Sequence, residues 1–220
     1  MLNALGKGTK FTVLAVWLIF TVFPLYWMAL TSIRPVREVT QKIYFPKSNS
    51  TLDSYRTLFS QYAFGTYLRN SLLVALAAAA FVIFVGLLGA YALARYKFKG
   101  KSQIMLVFLV TQMIPALIAL APLYLLLSNV GLLNSLVGLT LCYVGGMVPF
   151  ATIMLRGFLQ RIPPELDEAA MIDGCNRFTA LFRVVFPVAL PGIAATFIFA
   201  FVQCWNELFL AMILIDSDGN

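Results

Sequence analysis

Glu165, Asp167, Glu168 and Asp173 crowd one short segment of a 220-residue chain whose acidic residues total nine. Carboxylates gathered in this way could relay protons, hold a cation or face a basic partner. Proton relay near neutral pH usually recruits histidine, and the sequence contains none. Imidazole ligation of a metal goes with it. Cys142, Cys175 and Cys204 stand far apart, giving neither a metal spacing nor a disulfide framework. Gly100, Lys101 and Ser102 copy the tail of a phosphate loop. The first glycine of such a loop would fall at residue 95, however, which is arginine, and no strand precedes it. No nucleophile–base pair stands out either. The expectation is a non-enzymatic chain with no metal and no cofactor of its own. Two features remain: the acidic segment, and Glu207, a lone carboxylate closing an apolar run.

The elements that must position them are hydrophobic. Apolar residues make up 61% of the chain and charged residues 11%, with a mean hydropathy of +0.88. A soluble domain carries about a quarter of its residues as charges, so these are too few to coat a globule. Asp, Glu, Lys and Arg are missing from 11–33, 71–94, 102–155 and 184–206. A helix crosses the ~30 Å hydrocarbon layer with ~20 apolar residues. The third stretch has room for two such helices, broken near its middle by Asn129, Gly131, Asn134 and Ser135. The expected architecture is an all-α, polytopic membrane helix bundle forming one transmembrane domain over 1–220. Its spans are placed at 11–33, 70–94, 104–127, 136–155 and 189–214.

The first apolar run exceeds the ~7–15 residue core of a signal peptide and lacks a small-x-small cleavage pattern. It reads as a retained span, with Trp17, Tyr26 and Trp27 suited to the interfacial belts. Lys7 and Lys10, with the dense cluster Arg95, Lys97, Lys99 and Lys101, put the N-terminus in the cytoplasm by the positive-inside rule. The first outward loop opposes this with Arg34, Arg37, Lys42, Lys47, Arg56 and Arg69 against Glu38 and Asp53, but its charges are spread thin. The net charge of +7 is no nucleic-acid footprint, because the basic residues sit at span ends rather than in one patch.

Small residues recur at spacings of four within spans: Gly86, Ala90 and Ala94, then Gly138, Cys142 and Gly146. Such stripes let helices approach closely in lipid. Pro115, Pro122 and Pro149 imply kinks that neighbouring helices can satisfy.

The segment 156–187 is too short and too polar to span. Pro164 suits a first helical position, Glu165, Asp167 and Glu168 complement the helix dipole, and Gly174 can take the left-handed stop. Phe178, Leu181, Phe182 and Val185 give a second short helix one apolar face. Pro187 is expected to end it before the last span. An amphipathic pair with small residues at Ala169 and Ala170 suits docking into a partner's groove, or else lies flat on the membrane.

The residue string itself resembles a known signature. Glu168, Ala169 and Ala170 are followed after three residues by Gly174, after nine more by Val184, and after one more by Phe186 and Pro187. That is similar to the EAA loop of ABC-importer permeases, with Val184 and Phe186 replacing the usual Ile and Leu at unchanged spacing. Asn70-Ser71, the 90–95 run Ala-Tyr-Ala-Leu-Ala-Arg, Gly131-Leu132-Leu133-Asn134 and Trp205-Asn206-Glu207 resemble the carbohydrate branch. Within it, the chain resembles the second permease of maltose- and oligosaccharide-type importers.

The resemblance implies a permease subunit of a binding-protein-dependent importer that passes a sugar across the cytoplasmic membrane. It implies a separate dimeric ATPase that binds the ATP, a second permease completing a heterodimeric pore, an extracytoplasmic binding protein, and no nucleic acid. Coupling to the ATPase would fall to Glu168, Ala169, Ala170 and Gly174, with Glu165, Asp173 and Pro187 around them. Gln112, Tyr124, Tyr143, Asn206 and Glu207 are candidates for lining the sugar pathway, although each also suits helix packing. The family usually has a sixth span, so a truncated or partial chain is expected. The alternative is a secondary transporter or channel subunit for a small polar solute, which would usually place charges near the midplane. This chain has none there.

Overall fold

The computed structural model describes residues 2–35 and 50–215. Arg37, Glu38, Lys42 and Lys47 of the expected outward loop, and the 216–220 end, lie outside the described residues. Among the described residues every regular element is helical, so the chain is an all-α polytopic bundle. It divides into two compact units, Met1–Tyr67 and Leu68–Asn220.

The first unit holds α1 (Leu2–Ser32) and α2 (Asp53–Gln61). Residues 8–32 of α1 are long and apolar enough to cross a membrane. Past its end the Arg34 guanidinium lies 5.0 Å from the Trp27 ring, a cation–π contact at a span end. The Thr51 amide donates to the Ile33 carbonyl at 2.8 Å, and Thr51 Oγ1 accepts from the Asp53 amide at 3.1 Å, where α2 starts.

The second unit takes up α3 (Phe64–Arg95), which begins just before it, then α4 (Lys101–Met113), α5 (Ala116–Asn129), α6 (Leu136–Leu159), α7 (Glu165–Ile172), α8 (Arg177–Ala180), α9 (Phe186–Asn206) and α10 (Phe209–Leu214). Ala75, Ala79, Val82, Gly86 and Ala90 form one buried face of α3 at helical spacing. A Cβ added at Gly86 would sit 3.1 Å from the Ala151 methyl of α6, and one at Gly89 would sit 3.3 Å from Thr152. The small-residue stripe thus brings α3 onto α6. The turn before α6 uses Gly131 and Asn134 at positive φ, and Ser135 caps the helix by accepting from the Gly138 amide. Gly138 itself has the Leu132 carbonyl where a Cβ would stand.

Two expected spans come out differently. The helix expected over 104–127 is bent by 102° between α4 and α5. Pro115 disfavours helical geometry at the residue before it, and Ile114 is extended at φ −76°, ψ 121°. The pair is one broken crossing or a re-entrant loop, and counting it as one gives five crossings. Pro122 and Pro149, by contrast, sit inside continuous helices.

The second correction concerns Pro187. It does not end a separate short helix: α8 runs through a π turn, Leu181–Val185, directly into α9, one continuous helix over Arg177–Asn206. A proline has no amide for the carbonyl four residues back and its ring crowds that carbonyl. Widening the preceding turn, with Phe186 N–H donating to Leu181 O, accommodates the ring without breaking the rod. The expected 189–214 span instead breaks at Glu207, which is extended at ψ 120°, and α10 is a separate six-residue helix.

Candidate coupling helix and intramembrane cavity

The loop after α6 turns at Gln160 and Arg161 and enters α7 behind Pro164, whose φ of −65° already matches a helix. Its three acids occupy the first turn. At the far end the Gly174 amide donates to Met171 O and the Cys175 amide to Ala170 O, with Gly174 at φ +86°. This pair of bonds is a Schellman stop, the role the sequence reading assigns to Gly174. Asn176 then opens α8, its side chain accepting from the Thr179 amide at 2.8 Å.

The two faces of α7 differ in kind. Glu165, Glu168, Ala169 and Ile172 fall at i, i+3, i+4 and i+7 and are all exposed, Ile172 at 86%. Asp173 and Gly174 are exposed beyond them, as is Pro187 on α9. Asp167 and Ala170 point the other way, each 5% exposed. The two alanines therefore do not form one patch: Ala169 faces outward and Ala170 packs inward. Ile172, which sequence reasoning passed over, was findable from the same i, i+3, i+4, i+7 count.

The sequence presents Asp167 as one of three dipole-complementing acids, but its surroundings are quite different from those of its neighbours. The Tyr91 hydroxyl donates to its Oδ1 at 2.6 Å, and Arg95 Nε lies 2.8 Å from Oδ2. Arg95 Nη2 also donates to the Ile162 carbonyl at 3.0 Å. Nothing in the spacing of residues 91, 95 and 167 announces this contact, which tertiary packing creates.

The candidate pathway residues separate into two groups. A cavity of about 610 Å³ opens among α4, α5, α6 and α9, with Gln112, Tyr143, Gln203 and Glu207 as polar members of a mostly aliphatic wall. Gln112 donates to the Gly146 carbonyl at 3.1 Å. Tyr143 donates to Glu207 Oε2 at 3.1 Å, and both oxygens of that carboxylate accept from the Leu210 amide where α10 starts. Glu207 thus acts as a helix cap as well as a wall residue. Tyr124 and Asn206 are exposed and outside this wall, Asn206 donating back to Val202 O on its own helix. Gln203 has no signal of its own in the sequence, because it sits inside an apolar run just ahead of the Trp205-Asn206-Glu207 string rather than within it.

Residues 82–219 match the family described as binding-protein-dependent transport system inner membrane component. The chain belongs to that family. It is 38% identical over 195 residues to the diacetylchitobiose uptake system permease protein DasC of Streptomyces coelicolor, covering 88% of this chain and 70% of that one. It is 38% identical over 209 residues to the sulfoquinovosyl glycerol transport system permease protein SmoH of Agrobacterium fabrum, covering 94% and 73%. Identity to the maltodextrin transport system permease protein MdxG of Bacillus subtilis is 29% over 213 residues, 97% and 76%. Among solved structures, a chain of a bacterial ABC transporter involved in the import of the acidic polysaccharide alginate superposes with a TM-score of 0.83 at 22% identity, over 98% of this chain and 76% of that one. At that identity the likeness concerns the fold. This family member is a multi-pass membrane transport component, and α6, α7, α9 and the cavity all lie within the matched region.

Proposed function

We propose that this permease conducts a sugar or oligosaccharide inward and that α7 is the helix on which a separate ATPase dimer docks. The observation that carries the reading is the outward face of α7. Two acids, one alanine and an isoleucine standing 86% exposed form a short amphipathic ridge of the kind a partner groove accepts. A bare isoleucine at a rigidly stopped helix end is costly to leave in water and suits an anchor role. Since α7 is followed at once by the continuous Arg177–Asn206 helix, force applied there passes straight into the membrane.

Sugar as the cargo is supported by what the relatives are named for, glycosides and oligosaccharides, and by the mixed lining of the cavity, whose Gln112, Tyr143 and Gln203 offer donors and acceptors for hydroxyl groups. In this reading the N-terminus and α7 are cytoplasmic, a second permease completes the pore, and a soluble binding protein delivers the sugar from outside. ATP is held by the partner ATPase.

The test is reconstitution in proteoliposomes with the co-expressed ATPase, second permease and binding protein. Gly174→Leu should insert normally yet lose ATPase assembly or coupling. Normal ATPase stimulation and normal uptake of labelled disaccharides by that variant would overturn the docking assignment. Gradient-driven uptake by the purified chain alone would overturn the importer reading in favour of a secondary transporter.

A further inference from the structure

The corner where α3 ends holds the segment around α7 from both sides. Arg95 pairs with Asp167 within α7 and donates to the Ile162 carbonyl before it. Tyr91 adds a short hydrogen bond to the same carboxylate. On the other side of the Gly174 turn, the Arg177 guanidinium of α8 lies 4.9 Å from the Tyr96 ring, just past α3. Tyr96 in turn meets Tyr91 edge-on at 6.4 Å.

Geometry makes this more than an ordinary surface pair. The side chains of Arg95 and Asp167 are only 9% and 7% exposed, so the charges have given up most of their water and depend on each other. An exposed pair would slip freely between rotamers and transmit little. This one is fixed by a planar guanidinium engaging two elements at once, which a lysine ammonium could not reproduce. Asp167 also faces away from the Glu165, Glu168, Ala169 and Ile172 ridge, so it is not placed to touch a docked partner.

We infer that Tyr91, Arg95 and Asp167 are positioning residues that clamp α7 to the end of α3, making α3 a second output of the docking helix beside α9. The inference rests on the docking reading above. Displacing α7 drags the α3 terminus with it, and α3 carries the motion to α6 through the Gly86 and Gly89 contacts. Two outputs from one helix move two walls of the bundle together instead of tilting α9 alone.

The assembled transporter, with its ATPase and second permease in nanodiscs, tests this by amide hydrogen exchange in two states: nucleotide-free and trapped with ATP and orthovanadate. In the native transporter, segments 162–176 and 88–98 should both change exchange between the states. In Asp167→Asn the ATPase should co-purify in native amount and 162–176 should still respond. The response of 88–98 should fall about five-fold or more, the lower end of ordinary coupling factors. Tyr91→Phe, which removes one hydrogen bond and leaves the ion pair, should lower it about two-fold, and it decides the matter if Asp167→Asn does not assemble. An unchanged 88–98 response in both variants overturns the clamp. So does loss of the ATPase from folded Tyr91→Phe, which would make these residues part of the docking surface. Failure of the docking reading looks different: 162–176 of the native transporter would not respond to nucleotide, and both proposals would fall.

Discussion

Gly192 of α9 lies so close to the ring of Phe158 on α6 that a Cβ at that position would collide with it. The crossing of the two helices therefore depends on a missing methyl group. Gly192→Ala should destabilise the bundle by about 1–3 kcal/mol, the usual cost of overpacking. Phe158→Leu in the same chain should recover much of the loss. Thermal unfolding in detergent of both single variants and the double variant checks this, since residues in contact show non-additive effects.

Gly174 invites a different substitution test. No neighbour lies within 4 Å of a Cβ built there, yet its φ is +86°. The whole cost of Gly174→Ala is then backbone strain, about 1–2 kcal/mol. Asn, which tolerates this conformation better, should cost less than Ala. Local amide exchange across 170–176 measures the difference directly.

Ile172 should behave in the opposite way to a core residue. Because it is 86% exposed, Ile172→Ser should leave stability within about 0.5 kcal/mol. If it anchors the ATPase, co-purification should drop on the order of 30-fold or more, as expected for a binding hot spot worth at least ~2 kcal/mol. Undiminished ATPase recovery would remove Ile172 from the docking surface.

Glu207 joins three elements through Tyr143 and the Leu210 amide. Glu207→Ala strips the Leu210 amide of its side-chain acceptor and leaves the Tyr143 hydroxyl only the backbone carbonyl of residue 207 at 3.3 Å, which should lower stability by about 1–2 kcal/mol. Glu207→Gln keeps an acceptor and should cost less. Unaltered uptake kinetics in Glu207→Gln would leave the residue a purely structural role.

What the sequence makes legible follows from which forces are local. Long charge-free runs marked the crossings, because the cost of charge in hydrocarbon acts residue by residue. Pro164, Gly174 and Ser135 marked boundaries, since each satisfies or forbids a backbone geometry on its own. Pro187 misled, because a helix has two answers to a missing amide, breaking or widening, and neighbouring packing chooses between them. Pro115 pointed to a kink, but the 102° angle depends on where α5 finds its contacts. Asp167 was the least legible of all. Its partners lie more than seventy positions earlier in the chain, and only the fold brings them together.

The absence of a joint at Pro187 sets the leverage available to this protein. Thirty residues of continuous helix extend ~45 Å at 1.5 Å per residue. Swinging it by about ten degrees at its loop end would sweep the opposite end through roughly 8 Å on that length. A sugar ring is smaller than that stroke, so under the docking proposed above a modest tug at one end would be enough to open or shut a passage at the other.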